Sequence, residues 1–250
     1  MRNIRLLIAY DGTAYAGWQR QAVQPTIQGV LEGKIALMTK APVTLHGAGR
    51  TDAGVHALGM VANFHTQATI PCPGFVMGLN SMLPDDIRIL QADQVDPGFQ
   101  ARFQAKGKLY VYQFLCTPIV FPHQRLYYAH IPVQLDLSLM EAALATLVGE
   151  HDFASFEAVG SRDVSLSGGR GSVRRIVAAH LQRQGEGMAM VIHGDGFLRH
   201  MVRNIAGTVF EVGLGKRTVA EFREAMAAKD RGRAGMTAPA KGLFLKQVFY

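Results

Sequence analysis

With 250 residues, 48% of them hydrophobic and 18% charged, the chain can bury a substantial core, as one large domain or two small ones. No apolar run approaches the roughly 20 residues of a membrane-spanning helix, and Cys72 and Cys116, without CxxC spacing, do not make a disulfide framework. The formal net charge of +7 tilts the choice of partner toward polyanions such as nucleic acid.

Ile4, Leu6, Ile8 and Tyr10 alternate, so residues 3–10 read as a half-buried strand that Asp11-Gly12-Thr13 ends. The charges in Met1-Arg2-Asn3-Ile4-Arg5 leave no room for a signal-peptide h-region, and a cytoplasmic location is expected. Gln24-Pro25-Thr26 opens a helix with Ile27, Val30, Leu31, Ile35 and Met38 on its apolar face, stopped by Pro42. Residues 55–66 return to a strand pattern. A helix around 73–81 and a strand at 87–95 complete a βαβ-like half, and residues 108–116, rich in Tyr, Val and Phe, start the next.

The second half predicts a helix over 136–148, apolar at Leu139, Met140, Ala143, Leu144 and Leu147. Strands over 174–182 and 186–193 are joined through Gly185-Glu186-Gly187. A helix is expected from Phe197 to Val212, and another after Thr218, where Thr218 and Glu221 have capping-box spacing. Residues 243–250 form a last strand. Ser165 to Ser172 reads as a mobile loop, and Lys229 to Lys241 as an exposed one. Helices crossing one face of mixed sheets argue an α+β fold with a boundary near 104–108.

One short stretch concentrates chemistry: Gly49-Arg50-Thr51-Asp52-Ala53-Gly54-Val55-His56. Glycines flank a carboxylate that lies between an arginine and a histidine. Glycine permits a tight loop and close approach of a bulky ligand, and a neighbouring cation favours the ionised carboxylate. Such a loop could present Asp52 to a polyanion. It could also be a surface turn in which Asp52 bonds its own backbone.

Other segments decide between these readings. Ala9-Tyr10-Asp11-Gly12-Thr13 with Gly17-Trp18-Gln19-Arg20 comes first, then Leu79-Asn80 with Leu83-Pro84-Asp85-Asp86-Ile87, and Phe99 to Tyr112. Asp152-Phe153-Ala154-Ser155-Phe156, Phe197 to Gly207 and Ala238-Pro239-Ala240-Lys241-Gly242-Leu243 follow. In this order, and with the Asp52 loop, they resemble the tRNA pseudouridine synthase A family over nearly the whole chain. The resemblance implies two ferredoxin-like halves, residues 1–105 and 106–250. Their sheets would join into one mixed, mainly antiparallel sheet, with the active cleft between the halves. It implies an isomerase that acts on uridines 38, 39 and 40 of the tRNA anticodon stem-loop, without cofactor or metal, usually as a homodimer.

Pseudouridine formation breaks the C1′–N1 bond of a uridine, turns the free uracil and rejoins it through C5. The chemistry needs a carboxylate at the sugar–base junction, a way to hold the detached base and an acceptor for the C5 proton. The resemblance assigns the carboxylate to Asp52, as nucleophile or as base at the ribose. It assigns to Tyr110 the packing on the target base, with its hydroxyl a candidate for proton removal. Tyr112 shares the strand face of Tyr110 and reads as a core residue with a satisfied hydroxyl. Arg203 is implied as the ion-pair partner of Asp52. Arg199, four residues earlier, is expected on the same helix face, as a phosphate contact. Arg20, Arg50, Arg102, Lys106, Lys108, Arg170, Arg174 and Arg175 are candidates to follow the RNA backbone. Gln104 stands where family members often carry a small hydroxyl residue, a departure at the pocket wall that leaves the chemistry unaffected.

Three other classes compete. A glycoside hydrolase usually needs two carboxylates, and Asp11, the nominal second, also reads as a turn residue. A non-catalytic RNA-binding protein would not need Asp52, Tyr110 and Arg203 intact. The nine histidines form neither HExxH nor a Cys/His cluster, so a zinc enzyme is disfavoured.

Overall fold

The computed structural model describes residues 1–161 and 170–250. The elements run β1 (Arg2–Tyr10), α1 (Ile27–Thr39), β2 (His46–Gly47), β3 (His56–Thr66), α2 (Cys72–Met82), β4 (Ile87–Val95), β5 (Gly107–Leu115) and β6 (Ala129–His130). Then come α3 (Leu137–Ala145), β7 (Gly149–Asp152), β8 (Val173–Gln184), β9 (Gly187–Gly194), α4 (Met201–Gly213), α5 (Val219–Ala227) and β10 (Leu243–Phe249). The chain separates into two compact units, one of Met1–Lys106 with Phe244–Tyr250, the other of Gly107–Leu243. The last seven residues therefore go with the first unit and not with a continuous second half. The reason is backbone pairing: β10 lies parallel to β3, Phe244 opposite His56 and Leu245 opposite Ala57.

In the first unit the strand order is β4-β1-β3-β10, with β2 paired to β3. β1 runs antiparallel to both β3 and β4. Ile4, Leu6, Ile8 and Tyr10 of β1 are buried, as alternation demands, while Arg5, Leu7 and Ala9 are half-buried. Buried Asn3 and Asn63 pin the turn after β4. Asn3 Nδ2 donates to the carbonyls of Asp96 and Phe99 at 2.9 Å, and Asn63 Oδ1 accepts from Ala101 N at 2.9 Å. Helix α1 starts where expected, its Thr26 cap accepting from Gly29 N. It ends at Thr39, before Pro42, because Lys40 takes a left-handed φ of 56°.

In the second unit the order is β5-β9-β8-β7, antiparallel throughout, with β6 parallel to β5. The β8–β9 hairpin turns through Gly185 and Glu186, with Gly185 at a φ of 56°. Helix α3 is shorter than the predicted 136–148. After Ala145 the chain tightens into turns, and Leu147 is buried from outside the helix. Phe210 of α4 packs edge-on against Phe114 and Tyr112 of β5, at 5.1 and 5.9 Å between centroids. Thr218 and Glu221 form the expected capping box of α5.

Two further expectations change. Residues 197–200 are not helical: His200 has a φ of 62° and α4 begins at Met201, so Arg199 lies in the preceding turn and not on the helix face of Arg203. The 229–241 stretch is not simply exposed, since two short 3₁₀ turns fold it down, burying Gly235 and Ala238. Of the loop predicted over 165–172, residues 165–169 lie outside the described residues. Arg170–Ser172 form a turn, and Ser172 is buried.

Candidate active site

Asp52 sits in an irregular loop just before β3, half-buried, while its neighbour Thr51 is buried. Val55 N donates to Asp52 O, closing a turn. The chain on both sides of Asp52 is held by the first unit's other loops. Before it, Trp18 N donates to Thr51 O at 3.1 Å, and the Thr51 hydroxyl shares a buried 2.8 Å hydrogen bond with the Tyr10 hydroxyl. After it, Gly54 N donates to Tyr15 O at 3.3 Å. Gly17, at a φ of 91°, makes this approach possible, because a Cβ there would meet Thr51 O at 2.5 Å.

Tyr15 is anchored in turn: its hydroxyl donates to Asp86 Oδ1 at 2.6 Å. Burial, that hydrogen bond and the charges of Asp86 and Asp11 all push the phenol well above its usual range, so it remains a donor. Motif residues far apart in sequence, from Tyr10 to Asp86, thus meet around one loop. The opposite fate meets Asp11. Its Oδ1 accepts from Thr13 N at 2.9 Å and from the Thr13 hydroxyl at 2.5 Å, the geometry of a turn residue. His56 Nδ1 lies 3.1 Å from Asp11 Oδ1 and accepts from Gly12 N at 3.1 Å. Asp11 thus takes the turn role that the sequence also offered for it.

Arg50 and Arg20 join one polar network beside the loop. Arg50 Nε donates to Gln19 Oε1 at 3.1 Å, and Gln19 Nε2 donates to Gln28 Oε1 at 2.9 Å. Arg20 pairs with the buried carboxylate of Glu32 at 3.2 Å. Glu32 also accepts from Gln28 Nε2 and Leu45 N, which explains how α1 buries two polar residues. Both arginines are exposed. Arg102 is exposed beside the ring of Phe103, 5.7 Å from its centroid, and Lys106 is exposed nearby in sequence.

The second unit holds Tyr110, Arg203 and the remaining basic candidates. Tyr110 of β5 is buried at 8% exposure, its ring edge-on to Phe197 at 4.9 Å. Tyr112 is fully buried and donates to Pro239 O at 2.8 Å, the satisfied core tyrosine expected. Burial raises its pKa, with the Arg203 charge working the other way. Arg203, in the first turn of α4, is half-buried. Its Nε donates to Ala238 O at 2.8 Å, and Ala238 N donates back to Arg203 O at 3.1 Å. Lys108 is half-buried. Arg174 is half-buried too, its Nη1 donating to Gly171 O and Val173 O. Arg170 pairs with Asp195, while Arg175 and Arg199 are exposed.

Sequence reasoning missed the residues that hold these groups. Asn204 is fully buried inside the apolar face of α4. Its Nδ2 donates to Phe156 O at 2.7 Å, and its Oδ1 accepts from the Thr237 hydroxyl at 2.6 Å and from Arg231 Nη2 at 3.2 Å. The signal was there: Asn204 and Thr208, four apart, interrupt an otherwise apolar stripe. Among the described residues no three His, Cys, Asp or Glu side chains are grouped to hold a metal ion, and no helix is long and apolar enough to cross a membrane.

An aspartate loop braced on both sides, in an α+β protein with mainly antiparallel sheets, fits the pseudouridine synthase fold. The chain matches the tRNA pseudouridine synthase family over residues 6–104 and 143–250, and it belongs to that family of isomerases. Among curated relatives, tRNA pseudouridine synthase A 1 of Desulfotalea psychrophila is 49% identical over 251 residues, covering 100% of both chains. tRNA pseudouridine synthase A 2 of Clostridium tetani is 44% identical, covering 100% of this chain and 99% of its own. tRNA pseudouridine synthase A of Geotalea uraniireducens is also 44% identical over the whole of both.

Proposed function

We propose that this chain converts uridine to pseudouridine in tRNA, at positions 38, 39 and 40 of the anticodon stem-loop, with Asp52 as the catalytic carboxylate. The supporting observation is the bracing of Asp52: backbone and buried hydroxyl bonds hold residues 51 and 54 in a chain whose full-length relatives are tRNA pseudouridine synthases. Pre-positioning a reacting group can supply much of an enzyme's rate enhancement. In this reading residues 1–105 carry the aspartate loop, and residues 106–250 carry Tyr110 and Arg203. Arg203 pairs with Asp52 and keeps it ionised. Tyr110 stacks on the target base, and its hydroxyl takes part in removing the C5 proton. The C1′–N1 bond breaks and a C1′–C5 bond forms. One proton leaves C5 and one is gained at N1, so the nucleotide changes neither formula nor oxidation state.

Arg20, Arg50, Arg102, Lys108, Arg174 and Arg199 then follow the RNA backbone. The net charge of +7 supports a mainly electrostatic complex. The enzyme acts as a homodimer in the cytoplasm. The test is to map pseudouridines in tRNA from cells lacking the protein, complemented with wild type or Asp52→Asn. Wild type should restore modification at positions 38–40, and Asp52→Asn should bind tRNA but restore none. Turnover by Asp52→Asn within tenfold of wild type would remove Asp52 from the mechanism. Unchanged tRNA in the cells lacking the protein would favour a non-catalytic tRNA-binding protein.

A further inference from the structure

The guanidinium of Arg231 is distant in sequence from every group assigned a chemical role, yet it bonds the chain neighbours of both Arg203 and Ala238. Arg231 Nη2 donates to Asn204 Oδ1 at 3.2 Å and to the Thr237 hydroxyl at 3.1 Å, while its Nη1 donates to Ala234 O at 3.2 Å. Thr237 itself donates to Asn204 Oδ1 at 2.6 Å. Thr237 is therefore held by two side chains. The next residue, Ala238, gives its carbonyl to Arg203 Nε and its N–H to Arg203 O. Asn204 is the residue after Arg203, so the hub grips both partners of that reciprocal pair. Pro239, one residue further on, accepts from the Tyr112 hydroxyl and ties the segment to β5. A fixed Ala238 carbonyl sets where the Arg203 guanidinium can point, because Arg's donors form a rigid planar fork.

We infer that Arg231 is a positioning residue of the isomerase. With Asn204 and Thr237 it forms a clamp that sets the direction of Arg203 through the Ala238 carbonyl. The inference rests on the proposed role of Arg203 beside Asp52. Displacement of a positioned group by about 1 Å can cost on the order of 100-fold in rate, so loss of the clamp should lower the chemical step and spare tRNA binding.

The experiment measures single-turnover pseudouridine formation at saturating tRNA, and tRNA affinity separately, for Arg231→Gln and for Thr237→Val. The valine variant keeps the side-chain shape and removes only the hydroxyl, so it remains informative if Arg231→Gln folds poorly. Each should slow the single-turnover rate on the order of 10- to 100-fold, with affinity within about twofold of wild type. Placed in an Arg203→Ala background, neither should slow the reaction further, because residues acting through one another are non-additive. A clamp that merely stabilises the fold would lower the melting temperature and leave the rate of folded enzyme unchanged; that result overturns the inference. So does a full, multiplicative loss in the Arg203→Ala background. If Arg203→Ala itself turns over at the wild-type rate, the proposed role of Arg203 falls and the clamp's catalytic purpose falls with it. If Arg203→Ala is slow and both clamp variants are fast, only the clamp is refuted.

Discussion

Gly207→Ala should destabilise a helix that intrinsic propensity says it ought to strengthen. Gly207 lies inside α4, where replacing glycine by alanine stabilises an ordinary helix by about 1 kcal/mol. Here a Cβ on residue 207 would sit 1.8 Å from Met236 O and 2.9 Å from its carbonyl carbon. Real Cβ contacts essentially never fall below 3.0 Å, so the Met236 backbone must retreat by about 1.2 Å. The retreat meets resistance. Gly235 N is bonded to the Thr208 hydroxyl at 2.9 Å, and Ala238 is bonded to Arg203 in both directions. Overpacking against a restrained backbone costs about 1–3 kcal/mol or more, which outweighs the propensity gain. A net loss of up to about 2 kcal/mol lowers the melting temperature by as much as roughly 4–8 °C in a chain of this size. The same shift draws the Ala238 carbonyl from Arg203, so activity at temperatures where the variant stays folded should also fall. Thermal unfolding followed by circular dichroism, with a single-turnover assay well below the transition, reads both effects. A melting temperature equal to or above wild type would show that the 235–238 segment yields freely, and the reasoning about its close contact with α4 would be refuted.

Tyr110→Phe keeps the aromatic face and removes the hydroxyl; we expect tRNA binding to persist and most turnover to be lost, whereas full activity would reduce Tyr110 to a stacking platform. The log of tRNA affinity should fall linearly with log salt, and Lys108→Ala or Arg174→Ala should flatten that slope; a salt-independent affinity counts against a basic RNA-binding surface. Asp152 should supply acid-sensitive stability. Burial works to raise its pKa, but hydrogen bonds from the Ser172 side chain, Ala154 N and Lys229, with the Lys229 charge, outweigh it and hold the carboxyl below its ordinary value. A depressed folded-state pKa means a contribution fully present above the unfolded value of about 4 and lost as pH falls through the lower folded value. The destabilisation caused by Asp152→Asn should therefore be clear at neutral pH and shrink toward pH 3, as read from melting temperatures; an undiminished difference at low pH would refute it.

Regular elements were legible wherever local pattern and burial agree. The alternation of β1, the Thr26 cap of α1, the capping box at Thr218 and the glycine hairpin between β8 and β9 are local devices, and each formed near its expected place. The family was legible too, because an ordered set of motifs spans nearly the whole chain. Tertiary contacts decided the rest. No periodicity distinguishes an α4 starting at Phe197 from one starting at Met201; the left-handed turn at His200 does so, and it takes Arg199 off the helix. The 229–241 segment is polar and glycine-punctuated, which reads as exposed, yet its polar atoms are satisfied against Asn204, Thr208 and Arg203. A buried polar group is stable only when partners arrive from elsewhere in the chain. The sequence alone therefore singles out Asp52 as a candidate, while the partners of Thr51, Asn204 and Ala238 exist only once segments 33 to 41 residues apart have packed together.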